Sequence, residues 1–168
     1  MISLCCSQVV RSRLGITGRP PAASEPTTRL GNWYVHLVRL GPQQLVLATS
    51  ERSLLTVILP ARELRATIEG NLRIAVELLL SAMNIPTDIV NRELAQMQPV
   101  LIAPATNRRV LGSLNELAFH LRVRQEQISD PIEMAVSLSG IPMSVVGSKS
   151  RYGIPREVAH GLLLSHGN

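Results

Sequence analysis

Apolar and polar positions along the chain alternate with two different periods, and the change between them divides the sequence into strands and helices. Met1–Cys6 alternates weakly and reads as a short strand. Ser7 then caps a brief helix through Leu14, which Gly15 ends. Asn32–Leu40, Gln43–Thr49 and Ser53–Leu59 are rich in Val, Leu, Ile and aromatic residues, with Gly41-Pro42 and Ser50-Glu51-Arg52 between them. Connections this short join antiparallel neighbours, so the three runs read as a meander. In the first run Trp33, Val35, Leu37 and Arg39 share one face, while Tyr34, His36, Val38 and Leu40 share the other. The third, Leu54–Leu59, is nearly continuous apolar and is expected at the centre of the sheet.

Beyond Pro60 the period lengthens. Leu64, Ile68, Leu72, Ala75, Leu79 and Met83 recur at three- and four-residue steps, which predicts a helix from about Ala61 to Met83 despite Gly70. A second helix opens at Thr87 or Asp88 and runs to about Gln98, with Ile89, Val90, Leu94 and Met97 inward. Pro99–Ala103 reads as a strand, and Pro104–Arg109 as a loop. Ser113-Leu114-Asn115-Glu116 has the form of a capping box, so the third helix is expected to start at Ser113. Asp130-Pro131-Ile132-Glu133 marks another start, and Pro155 opens a last helix ending near Ser165.

Strands gathered early and helices late predict an α+β fold. Its antiparallel sheet combines the N-terminal strand, the three-strand meander and the later strand, with about four to six helices mainly on one face. At 168 residues one domain is expected, with 18–29 (Pro20, Pro21, Pro26) a surface loop too short to separate two.

Composition narrows the class. Hydrophobic residues make up 45% and charged residues 17%, which suits a globular chain and not a disordered one. No apolar run approaches the roughly 18 residues of a membrane span, and the N-terminus lacks the pattern of a secretory signal. Cys5 and Cys6 are adjacent, unsuited to a mutual disulfide, so one thiol should point inward and one outward in a reducing, cytoplasmic setting. The net charge of +5 rests on 16 arginines and the single Lys149 without any long like-charge run. That permits loose attraction to nucleic acid, but four aromatic residues leave little for base stacking.

Catalytic templates do not fit. There is no nucleophile elbow, no dinucleotide glycine motif and no His pair at metal-binding spacing, so neither cofactor nor metal is expected. Gly147-Ser148-Lys149-Ser150 resembles the tail of a phosphate loop, but Pro142 stands where the upstream glycine belongs. One polar constellation remains. Thr106–Glu116 sets Asn107, Arg108, Arg109, Ser113, Asn115 and Glu116 around an expected helix start, where free amides and the helix dipole favour an anion. Arginine supplies the bidentate clamp for phosphate or carboxylate, and Arg52 in the Glu51-Arg52 turn could converge on the same place. The competing reading is architectural: Ser113 caps, Asn107 shapes a turn, and Arg52 pairs with Glu51 or Glu116.

Three stretches carry a resemblance. Leu30-Gly31-Asn32-Trp33-Tyr34-Val35-His36-Leu37 is similar to a "LGDWYANL" segment, Ser50-Glu51-Arg52-Ser53-Leu54-Leu55 to "NERTLL", and Thr106–Phe119 to "TNNRSVLGSMNDFAF". The chain thereby resembles, over nearly its whole length, a mainly bacterial family catalogued as a domain of unknown function. Leu138–Met143 is similar to a further segment of it. The resemblance implies no activity, cofactor or residue role. Asn32, Ser50 and Glu116 depart from the pattern, where it has Asp, Asn and Asp.

Three function classes stand open. The first is a small cytosolic binding or interaction protein, with regulation among its possible roles, that holds a nucleic-acid phosphate or partner carboxylate at Arg52, Asn107, Arg108, Arg109, Ser113, Asn115 and Glu116. The second is a metal-independent hydrolase or nuclease on a phosphate-bearing substrate, with Glu51 or Glu116 as base and Arg52 or Arg109 stabilising charge. The third is a scaffold without a small ligand. A protein or nucleic-acid partner fits the first, no membrane is expected, and the oligomeric state stays open.

Overall fold

The computed structural model describes residues 1–62, 64–144 and 152–165, so Gly147–Ser150 lies outside the described residues. The chain runs β1 (Ile2–Cys6), α1 (Gln8–Arg13), β2 (Trp33–Leu40), β3 (Gln43–Ser50), β4 (Thr56–Pro60), α2 (Leu64–Ala82), α3 (Thr87–Gln96), β5 (Val100–Pro104), α4 (Arg108–Arg124), α5 (Pro131–Ser139) and α6 (Pro155–Leu164). This is an α+β fold with a five-stranded sheet in the order β4-β3-β2-β1-β5.

The sheet is mixed, not antiparallel as expected. β2, β3 and β4 form the antiparallel meander, but β1 pairs parallel with both β2 and β5. The reason lies in the connections. Hairpin logic governs only the short Gly41-Pro42 and 51–55 turns. The chain reaches β2 from β1, and β5 from β4, through helical segments long enough to return it to its starting end. The order of elements obscured this, because α1 is short and the loop after it carries no periodicity.

Helices also cover both faces. Ile2, Leu4 and Cys6 of β1, Trp33 and Val35 of β2, and Val57 and Leu59 of β4 form one core with α1, α2, α3 and α6. Cys5, Tyr34, Val38, Leu47, Ile58 and Ala103 form the other, closed by Val110, Leu114, Leu117 and Leu121 of α4. Helix α5 sends Ala135 into the first core and Met134 and Leu138 into the second, which places it along β4. That explains a second departure: β4 is an edge strand, not a central one, and its apolar character on both faces answers to α2 and α5. Cys5 and Cys6 do point to opposite faces, but both faces are covered and both thiols are buried.

Loop 18–29 contains no helix or strand and is mostly exposed, yet its ends are pinned. The Ser24 amide donates to Ser3 Oγ at 3.0 Å. The Arg29 and Leu30 amides each donate at 2.9 Å to the buried carboxylate of Glu93 on α3. No helix among the described residues is long and apolar enough to cross a membrane.

Candidate functional site

Helix α4 begins at Arg108, not Ser113. Asn107 is the cap, its Oδ1 accepting from the amides of Arg109 (3.1 Å) and Val110 (3.4 Å). Val110 explains the earlier start: it opens the buried stripe that continues through Leu114, Leu117 and Leu121. Holding that turn in the helix outweighs the ~1 kcal/mol cost of Gly112 in a helix interior. Ser113 and Glu116 therefore stand inside the helix, where the capping-box pattern satisfies nothing. Asn107→Ala is expected to lower stability by about 1 kcal/mol, and Ser113→Ala to change it by less than about 0.5 kcal/mol. Urea denaturation of the two variants checks the assignment, and a larger loss from Ser113→Ala would contradict it.

The cap is anchored from beneath. On the sheet face under α4, the buried phenol of Tyr34 lies beside the Cys5 thiol and the Asn107 backbone, close enough to interact with both. Burial pushes Tyr34 up to about 12 and Cys5 up to about 11, so both keep their protons at neutral pH. Burial likewise lifts Cys6 to about 12. A nucleophilic thiol needs the opposite shift, so burial makes both cysteines poor nucleophiles at neutral pH.

Around this anchor the expected site residues separate. Arg108 and Arg109 are exposed on the first turn of α4. Asn107 uses its side chain on the helix itself. Its backbone lies beside Tyr34, and the Arg109 and Val110 amides go to its own Oδ1. Of the amides that open the turn, that of Arg108 is left without a partner among the described residues. The 100° step of a helix puts Ser113 and Glu116 on the stripe of Arg109, one to two turns on, and Asn115 on the stripe of Arg108. Glu116 stands 4.0 Å from His120 Nε2, and the other ring nitrogen of His120 lies 3.1 Å from an Arg124 guanidinium nitrogen. His36, half-buried on the same sheet face, is held below its ordinary 6.5, first by burial and then by the Arg122 charge.

Arg52 belongs elsewhere. Its guanidinium donates at 3.2 Å to the Thr28 carbonyl and pairs at 3.2 Å with Glu25, not with Glu51 or Glu116. Its neighbour Glu51 accepts from the Asn32 amide at 3.0 Å, close enough to Tyr34 and Cys5 for its charge to act on both. Asn32 is buried and uses both ends of its amide. Oδ1 accepts from the Ser3 amide at 2.7 Å, and Nδ2 donates to the Ser24 carbonyl at 3.0 Å. A carboxylate could not make the second bond. Ser50 Oγ donates to the Leu30 carbonyl at 2.7 Å and lies 2.9 Å from Ser53 Oγ.

Tyr34 and Asn32 are the residues that sequence reasoning missed. Their signal was present: an amide just before a strand rich in apolar residues and a tyrosine within it, each needing a partner when buried. No group of three His, Cys, Asp or Glu residues among those described could hold a metal ion.

The stretches Leu30–Leu37 and Ser50–Leu55 are thus joined through Asn32, Ser50 and Glu51, and Tyr34 lies beside the start of Thr106–Phe119. No curated protein and no solved structure matches the chain. Residues 3–158 match the family described as "Domain of unknown function (DUF6933)", and over that share of 168 residues the match makes this protein a member of it.

Proposed function

We propose that the protein is a small cytoplasmic binding protein, and that it holds an anionic group, a nucleic-acid phosphate or a partner's carboxylate, at the corner where β5 passes into α4. One observation carries this reading. Arg108 and Arg109 are exposed on the first turn of a helix whose start is locked to the sheet, and neither has an ion-pair partner among the described residues. Two guanidinium groups on a rigid base lose less freedom on binding than the same groups on a loop. The unpartnered Arg108 amide and the helix dipole add to the attraction. Ser113 and Asn115 extend the polar surface along the helix. Arg52 drops out of the ligand set, because Glu25 and Thr28 already occupy it. The two buried, protonated thiols suit a reducing compartment.

The test compares Arg108→Gln/Arg109→Gln with wild type against labelled RNA, labelled DNA and an acidic peptide. The double variant is expected to lose at least about tenfold in affinity for the ligand that wild type binds, with stability unchanged within about 0.5 kcal/mol. Unaltered binding would remove this corner from the interface.

A scaffolding role has one observation in its favour. Asn32, Ser50, Glu51 and Ser53 spend their polar atoms on other parts of the same chain. If wild type binds none of the three ligands, that reading takes precedence.

A further inference from the structure

A second basic site lies at the tip of the β2–β3 hairpin. Arg39 and Gln44 are direct cross-strand partners there, one on each side of the Gly41-Pro42 turn. The last residue of α1, Arg13, reaches over and donates to Gln44 Oε1. The chain leaving β4 adds Pro60, Ala61 and Arg62. Together these residues line a cavity of about 500 Å³, with Gln43, Pro42 and Leu45 completing the wall.

What marks this cavity is its charge. Among the described residues three arginines line it, no acidic side chain does, and none of the three is ion-paired. Elements distant in sequence bring them together, so the cluster follows from the fold and not from one basic run. Like charges gathered in a concave wall repel one another and leave a positive potential that a bound anion would relieve. The volume falls within the range of small-molecule sites. Guanidinium groups approaching from three directions match an anion with oxygens on several sides, which a phosphate ester has and a lone carboxylate lacks. Leu45, Pro42, Pro60 and Ala61 offer an apolar surface for the rest of such a molecule. We infer that this cavity binds a small molecule bearing a phosphate or diphosphate group, at a site separate from the α4 corner.

Titration calorimetry of the full chain with inorganic pyrophosphate at physiological salt tests the inference. Saturable one-to-one binding is expected. Arg39→Gln and Arg62→Gln, both exposed, should each weaken it at least about tenfold. Melting temperatures of the two cavity variants, expected within a few degrees of wild type, confirm that the loss is one of binding. No saturable binding of pyrophosphate, or equal binding by wild type and both cavity variants, would overturn the inference. So would loss only in the α4 double variant.

Discussion

Gly31→Ala is expected to destabilise the protein by roughly 2–5 kcal/mol, combining the left-handed backbone cost with overpacking. Gly31 has φ +85°, where a side chain is strained whatever the space around it. The space is also closed. A Cβ there would meet Glu51 Cγ at 2.8 Å, and Arg52 Cγ and Glu51 Oε1 at 2.9 Å. Two of these atoms sit near the roots of their side chains and cannot swing clear. Moving Glu51 would also break its bond with the Asn32 amide, and the Gly31 carbonyl is already held by Thr28 Oγ1 at 2.9 Å. The substitution therefore strikes the junction of loop 18–29, β2 and the 51–55 turn. Denaturation with urea measures it, and a loss below about 1 kcal/mol would show that this junction yields easily.

Glu93→Ala follows, with an expected loss of roughly 2–4 kcal/mol, because it leaves the Arg29 and Leu30 amides without their acceptor. The carboxylate also gives stability a pH dependence. Burial raises its pKa above the ordinary 4.5, outweighing the opposing pull of the Leu30 and Arg29 amides and of the Arg29 and Arg52 charges. The folded protein thus holds this proton more tightly than the unfolded chain does. Glu93 contributes its full stabilisation below 4.5 and loses it as pH rises through the elevated folded value. In Glu93→Gln that component is absent, so the stability difference between the two proteins should change from 4.5 upward and level off only above the elevated folded value. A difference independent of pH would contradict the raised pKa.

The periodicities made most elements readable. The stripe Leu64, Ile68, Leu72, Ala75 and Leu79 is buried as expected, and Asp130 caps α5 through the Glu133 amide at 2.8 Å. Pairing was less readable, because parallel partners meet only after long connections whose path depends on tertiary packing. Thus the alternation Ile2, Leu4, Cys6 against Ser3, Cys5 shows a strand, but not that β2 and β5 flank it. The start of α4 was misplaced because Ser113 and Glu116 imitate a cap, while the decisive residue, Val110, acts through burial. Glu93 was legible in principle. It lies on the inward stripe of α3 beside Val90 and Leu94, but a charged residue there suggests a solvated edge until the two amides that pair with it are seen. At the candidate site, Arg108 and Arg109 were within reach of local reasoning. Arg52 was not, since nothing in its neighbourhood points to Glu25, 27 residues earlier.

Fluorescence anisotropy of the full wild-type chain against labelled single-stranded RNA, duplex DNA and an acidic peptide, at low and physiological salt, tests anion binding at the α4 corner most directly. Binding of at least one ligand should persist at physiological salt, weaken as salt rises further, and fall at least about tenfold in Arg108→Gln/Arg109→Gln. Absence of binding to all three at physiological salt, or binding that the double variant retains in full, would contradict it.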